Sequence, residues 1–131
     1  MLKKDWNYRR GDIYLVDLHA EATSEKIAFT YCFADRLSAV VGTHTHVQTA
    51  DERIVYGCAA ITDLGMCGAY TSVLGRDVNE IVTRFTTQEK TKFKIAEGEG
   101  IFCGALVDID DTTNRAIGIE RIQIRPEHVE C

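Results

Sequence analysis

Two short apolar runs, separated by a stretch with helical spacing, constrain the fold of this chain more than any other feature. The first run, residues 12–18, is typical of a buried strand, and the second, residues 38–42, has the same character. Between them, residues 23–36 carry apolar side chains at helical spacing, and Thr23 is a residue type that commonly caps a helix. A strand, a helix and a second strand in this order predict a parallel βαβ unit with a right-handed crossover.

The rest of the chain predicts further elements of an α/β fold. Residues 58–62 predict a core strand, and Asp77 caps a predicted helix with an apolar stripe that should pack on the sheet. The stripe consists of Val78, Ile81, Val82 and Phe85. Three later segments predict strands, the last two as an antiparallel hairpin: residues 91–96, 101–109 and 115–124. We expect residues 1–10 to be a lead-in and residues 11–131 to form a single domain.

Composition excludes several classes of function. The net charge is −5 and the basic residues are scattered, which argues against nucleic-acid binding. No apolar stretch approaches the roughly 20 residues that a membrane span needs. The five cysteines are an odd number without a CxxC pair, and we see no signal peptide ahead of them. We therefore expect free thiols and a cytoplasmic location.

Three of the four histidines follow the ends of predicted strands. His19 comes after the first strand, and His44 and His46 come after the second. The carboxyl ends of parallel strands share one sheet edge, where α/β proteins commonly have their sites. A single loop histidine is more often solvated or bonded to a backbone carbonyl, but three at one edge favour a transition-metal site.

The histidines alone leave the type of metal centre open. Three neutral imidazoles can hold one zinc ion with an open fourth position, as in a single-zinc hydrolase. A dinuclear centre also needs a bridging carboxylate and further oxygen ligands. The carboxylates that lie near the histidines have no diagnostic spacing: Asp17, Glu21, Asp51 and Asp63.

Several segments together resemble the YmdB-type metallophosphoesterase family. They are residues 16–26, 38–51 (which include the run Gly-Thr-His-Thr-His), 61–66, 96–98 and 108–111. The resemblance implies the C-terminal half of a calcineurin-like sandwich of two mixed sheets flanked by helices, and hydrolysis of phosphodiesters such as 2′,3′-cyclic nucleotides. It implies two divalent transition metals, Mn, Fe or Zn, in the complete site. It also implies that His19 and His44 share one metal and that His46 faces the other.

The family's remaining site residues precede the region that this chain resembles. They are an aspartate, a bridging glutamate beside an asparagine, and a Gly-Asn-His segment that holds the general acid. We do not find them here, and we therefore assign no catalytic residue. We expect a truncated or split enzyme that binds at most one metal and is inactive or weakly active alone.

The expected function is thus that of a metal-dependent phosphodiesterase acting on a small phosphodiester. The alternative is a non-catalytic metal-binding or oligomer-assembly module derived from the same fold. We expect the partner to be a second copy of the chain or a complementing N-terminal half, because a half sandwich should expose a sheet edge and an apolar face.

Overall fold

The computed structural model describes Arg9 and residues 11–127, and it shows an α/β fold. In chain order the elements are β1 (Leu15–His19), α1 (Thr23–Phe33), β2 (Ala39–Thr43), β3 (Arg53–Val55), β4 (Cys58–Ile61), β5 (Gly68–Ala69), α2 (Val78–Thr87), β6 (Gly100–Asp110) and β7 (Arg115–Ile124). The predicted lead-in other than Arg9, together with His128 and Cys131, lies outside the described residues. None of the described helices is long and apolar enough to span a membrane.

The described residues divide into two compact units. The first comprises the residues up to Gly65 together with Gly104–Ile122, and the second comprises Met66–Cys103 together with the residues from 123 onward. The first unit contains a four-stranded sheet in the order β1-β2-β4-β3. β1 and β2 are parallel, β2 and β4 are parallel, and β3 runs antiparallel to β4. The predicted βαβ unit is therefore confirmed.

The two faces of this sheet pack against different layers of the first unit. Val40 and Ala60 lie on the face towards α1, where they share a core cluster with Phe33 and Leu37. Phe33 is the last residue of α1, and Leu37 follows the helix. On the opposite face, the small side chains Ala39 and Ala59 pack with Ala116, Val107 and Ile119. Strands β6 and β7 are neighbours in a second sheet of order β5-β6-β7, and their short connection joins them as the predicted antiparallel hairpin.

One arginine links the hairpin to the helix side of the sheet. The Arg115 guanidinium donates to the carbonyl oxygens of Ala34 at 2.6 Å and Leu37 at 3.5 Å, and also to that of Tyr56. The carbonyls of Ala34 and Leu37 follow α1, and that of Tyr56 lies in the β3–β4 turn. A single charged side chain thus satisfies backbone acceptors from two separate connections.

In the second unit, α2 begins where the sequence predicts it. Asp77 is the N-cap, and its carboxylate accepts from the Glu80 amide at 3.0 Å. The predicted packing of the whole apolar stripe is wrong for this chain. Ile81 is the buried member, whereas Val82 is 50% and Phe85 77% exposed.

Three element assignments differ from the predictions. Ala22, not Thr23, is the N-cap of α1, because the Glu25 carboxylate accepts from the Ala22 amide at 3.3 Å and takes the capping role. Residues 91–96 form no strand, and their pairing is limited to an isolated bridge at Ile95. Strand β3 was not predicted, and it pairs with β4 through a two-residue turn in which both residues have positive φ, as type I′ hairpins require.

Candidate functional site

The candidate site lies at the carboxyl ends of β1 and β2. The register of the parallel pair places His19 beside Thr43, the last residues of the two strands. His44 follows directly, so the first two predicted histidines meet because of strand pairing. This is the edge at which the sequence predicted the site.

The imidazoles of His19 and His44 are in direct contact. Nε2 of His19 lies 3.2 Å from Nδ1 of His44. The ring centroids are 5.0 Å apart and the planes meet at 76°, so the rings approach edge to face. Both side chains are exposed at the sheet edge and therefore accessible to a ligand from solvent.

A hydrogen-bond chain from Asp17 fixes the tautomer of His19. The Thr43 hydroxyl donates to Asp17 Oδ1 at 2.9 Å, because a carboxylate can only accept. The same hydroxyl oxygen lies 3.2 Å from Nδ1 of His19 and is left with lone pairs, so Nδ1 carries the hydrogen. Nε2 of neutral His19 then presents its lone pair towards His44, whose Nδ1 donates to it.

Two histidines of the loop have an unusual backbone conformation. His44 has φ of 141° and His46 has φ of 66°, a region that residues with a Cβ seldom adopt. Each such residue costs about 1–3 kcal/mol and persists where the surroundings hold it. His46 is exposed and two residues beyond His44, and its role as a ligand stays a prediction.

A buried ion pair lies directly beneath the histidine loop. Lys26 of α1 is 2% exposed and Asp63 is 1% exposed, and Nζ lies 3.2 Å from Asp63 Oδ2. Nζ also donates to the Thr43 carbonyl oxygen at 3.2 Å, and Asp63 Oδ2 accepts from the Thr45 amide at 2.8 Å. The pair therefore contacts the backbone on both sides of His44.

The carboxylate of Asp63 is held ionised by its neighbours. Burial raises the pKa of Asp63, but hydrogen bonds from the Thr45 amide, the Gly65 amide and Lys26 outweigh that effect and leave the pKa below the usual aspartate value. The Gly65 amide donates to Oδ1 at 2.9 Å. Both oxygens of this candidate ligand are thus already used within the fold.

Side chains further along the loop anchor it to the sheets. Asp51 Oδ1 accepts from the Thr49 hydroxyl at 2.7 Å and the Thr62 amide at 3.1 Å. Burial raises the pKa of Asp51, yet these hydrogen bonds outweigh it and keep the pKa below its ordinary value. The Gln48 side-chain amide donates to two carbonyl oxygens of the hairpin, of Gly104 and Ile122, each at 3.0 Å.

Three of the four carboxylates near the histidines have hydrogen-bonded partners within the fold, whereas Glu21 is exposed two residues after His19. Asp63 bonds to Lys26, Asp51 bonds within the loop, and Asp17 accepts from Thr43. Within Arg9 and residues 11–127, no three or more His, Cys, Asp and Glu side chains are grouped so that they could hold a metal ion. The histidine pair is the part of the predicted constellation that the structure brings together.

Sequence reasoning missed Lys26 and the hydroxyl of Thr43. A signal for Lys26 is present, since it lies on the same helical stripe as Thr30 and Phe33, and all three are buried. A lysine at such a position needs an anionic or carbonyl partner. The contact of Thr43 with His19 depends on the parallel register of β1 and β2, which the sequence pattern alone does not give.

The spacing of the facing His19 and His44 nitrogens can be compared with the spacing of two nitrogens around a divalent metal ion. Two imidazole nitrogens bound at about 2.05 Å to a tetrahedral metal lie about 3.3 Å apart. The observed separation of 3.2 Å is close to this value and also to that of an N–H···N hydrogen bond, so metal binding by the pair stays a prediction. The threonine bond to Nδ1 of His19 is the kind of second contact that orients a metal-bound histidine.

The layered α/β fold and the histidines at its parallel strand ends define a metallophosphoesterase-type half sandwich. A sequence model described as YmdB-like protein matches residues 1–122, and the chain belongs to this family. It is 50% identical over 122 residues to the 2′,3′-cyclic-nucleotide 2′-phosphodiesterase of Bacillus subtilis, an alignment covering 92% of this chain and 46% of that protein.

Two solved structures have the same fold over most of the described chain. A protein from Thermus thermophilus, described as hypothetical, superposes with a TM-score of 0.78 at 38% identity, covering 86% of this chain and 44% of that one. A novel phosphatase from Mycoplasma pneumoniae superposes with a TM-score of 0.80 at 38% identity, covering 86% and 41%. The chain thus spans less than half the length of these relatives.

Proposed function

We propose that this chain carries the histidine part of a metal-dependent phosphodiesterase site whose substrates are 2′,3′-cyclic nucleotides. In this proposal, His19 and His44 hold one divalent transition metal, Mn, Fe or Zn, and His46 faces a second metal position. The 3.2 Å separation between the facing nitrogens of His19 and His44 is the observation that carries it. The relative that is a 2′,3′-cyclic-nucleotide phosphodiesterase supports the substrate class.

The chain's own residues have defined roles in such a site. Thr43, held by Asp17, would keep the hydrogen of His19 on Nδ1 and so leave the Nε2 lone pair available to hold a cation. His44 must shift its hydrogen from Nδ1 to Nε2 before Nδ1 can bind a cation, so loading involves a tautomer change at this residue. When bound, the metal supplies Lewis-acid activation of the phosphodiester and of a water molecule.

Further ligands would come from a complementing polypeptide segment. A dinuclear site needs a bridging carboxylate, and the carboxylates of Asp51 and Asp63 already serve the fold. Within the described residues, β1 has a neighbouring strand on one side, and its Leu15 is 66% exposed. An apolar groove of about 340 Å³ beside it, lined in part by Val41, Leu64 and Val107, suits a packed segment or a second copy.

The test combines metal binding with hydrolysis of 2′,3′-cyclic AMP in the presence of Mn²⁺. We expect the wild-type chain to bind one metal and His44→Ala to lose binding by at least tenfold, with any hydrolysis lost in parallel. Asp111→Ala, in the exposed β6–β7 turn, is the matched control and should behave as the wild type. Hydrolysis that survives His44→Ala would refute the assignment of activity to this site.

The alternative, a non-catalytic metal-binding or assembly module, makes a different prediction. The carboxylates of Asp51 and Asp63 already accept bonds within the fold and so are not free to bridge two metals, which favours this alternative. It predicts metal binding that depends on His44 without turnover, even after the complementing segment is added. A wild-type chain that binds no divalent metal would contradict the phosphodiesterase proposal and the metal-binding form of the alternative, and would favour the assembly module.

A further inference from the structure

The backbone on either side of His44 is held by two partners that are themselves paired. The Thr43 carbonyl, in the peptide before His44, accepts from Lys26 Nζ at 3.2 Å. The Thr45 amide, in the peptide after His44, donates to Asp63 Oδ2 at 2.8 Å. Because φ and ψ of His44 are the rotations that relate these two peptide planes, fixing both planes fixes the backbone conformation of His44.

That conformation is the one in which the imidazoles meet. His44 has φ of 141°, and its Nδ1 lies 3.2 Å from Nε2 of His19. A residue with a side chain leaves this region of φ when its surroundings do not hold it. If the peptide planes were released, the Cα–Cβ bond of His44 would turn and carry Nδ1 away from His19.

The burial of the lysine argues for a positional role. A buried ion pair can often be replaced by apolar side chains without loss of stability, so it is weak evidence of a stabilising function. Here Lys26 is 2% exposed and connects α1 to the ends of β2 and β4. Gly42 leaves room for the lysine, since a Cβ there would lie 2.7 Å from Lys26 Cδ.

We propose that the buried Lys26–Asp63 pair is a positioning device that holds His44 at positive φ and thereby sets the metal affinity of the His19–His44 pair. This inference rests on the proposed metal site. Lys26 and Asp63 act through the backbone of the loop and make no contact with the reacting groups. The pair therefore controls geometry, and its loss should affect metal binding beyond any effect on stability.

The experiment measures Zn²⁺ affinity of the whole chain by competition with a chromogenic chelator. The test variant is the double substitution Lys26→Met with Asp63→Asn, which removes both charges together and leaves none buried alone. We expect its affinity to fall about 10–100-fold, the range seen when groups that orient metal ligands are lost. Leu37→Ala, in the core and remote from the loop, is the control for lost stability and should bind within twofold of wild type.

A second readout needs no metal. Nitrogen-15 NMR of the metal-free chain reports the tautomers of His19 and His44, and an NOE reports the contact between their rings. We expect the NOE in the wild type and in Leu37→Ala, and its loss in the double variant. A folded double variant that keeps the NOE and binds Zn²⁺ within twofold of wild type would overturn the inference.

The outcomes separate this inference from the proposed function. If the wild type binds Zn²⁺ and His44→Ala abolishes binding, the metal site stands, and the double variant decides the role of the ion pair. If the wild type binds no Zn²⁺, the proposed function fails. The NOE then decides the positional role alone: its loss in the double variant supports that role, and its persistence refutes it.

Discussion

The close approach of Gly42 to the neighbouring strand end makes a sharp prediction for Gly42→Ala. A Cβ at this position would lie 1.9 Å from the Thr62 carbonyl oxygen and 2.5 Å from its carbon. These are backbone atoms and cannot rotate away. To reach an ordinary contact of 3.4 Å, the strands would have to separate locally by about 1.5 Å.

The energetic cost can be worked out from the contacts that separation would break. The Leu64 amide donates to the Gly42 carbonyl at 2.8 Å, and a movement of this size removes that bond. Overpacking costs about 1–3 kcal/mol, and a buried backbone group left unpaired costs about 1–3 kcal/mol more. We expect Gly42→Ala to lower the free energy of unfolding by about 2–6 kcal/mol, which is a large part of the total for a small domain.

Urea unfolding followed by circular dichroism measures this loss. Gly68→Ala is the matched control, because a Cβ there meets no atom within 4 Å. Its free energy of unfolding should stay within about 0.5 kcal/mol of the wild-type value. The loop should also loosen, so hydrogen exchange at the Thr45 amide should accelerate in Gly42→Ala. A stability within about 1 kcal/mol of wild type would show that the two strand ends are not packed this closely.

Three further outcomes follow from single side chains. Arg115→Met removes a shared donor from three carbonyls and should lower the free energy of unfolding in urea by about 2–4 kcal/mol. The control Arg125→Met, at an exposed position, should change it little. Equal unfolding midpoints for the two variants would contradict this. Burial raises the pKa of the Cys58 thiol to about 11, so a thiol reagent at pH 8 should label exposed Cys67 first and Cys58 only on unfolding; early labelling of Cys58 would contradict its burial. The pKa of Asp51 is lowered in the folded state, so its stabilising effect is complete above the unfolded value of about 3.9 and is lost as pH falls below it. Asp51→Asn should therefore flatten the loss of stability below about pH 4, and an unchanged acid limb in urea melts would refute the assignment.

The sequence predicted the elements whose pattern is long or whose cap is strong. The βαβ unit, the Asp77 cap and the C-terminal hairpin all follow from apolar periodicity and turn residues. Residues 91–96 alternate in the same way but form no strand, because among the described residues their pairing is limited to one bridge at Ile95. Alternation of apolar and polar residues shows which face of a strand each side chain lies on. It cannot show whether a neighbouring backbone is available for pairing.

The candidate site was predictable in position and only partly in detail. Because the carboxyl ends of parallel strands meet at one edge of the sheet, the sequence predicted that His19 and His44 lie at the same edge. The register of β1 and β2 places them side by side there. The hydrogen bond from Thr43 to Asp17 and the contact of Lys26 with the loop arise from tertiary packing. Sequence distance carries no information about such contacts. The Thr43–Asp17 bond spans 26 positions of the chain, and the Lys26–Thr43 bond spans 17.

Unfavourable backbone conformations and close backbone packing occur together at the histidine loop. Four other side-chain-bearing residues with positive φ are explained by their setting: Gln88 ends a helix, and Tyr56, Leu74 and Asn114 lie in turns between paired residues. His44 and His46 have no such turn geometry to account for them, and the loop that contains them lies over a buried lysine and a glycine with no room for a methyl group. A fold optimised for stability alone would not concentrate these costs in one segment. Their convergence beside two facing imidazoles is what the proposed metal site predicts for this loop.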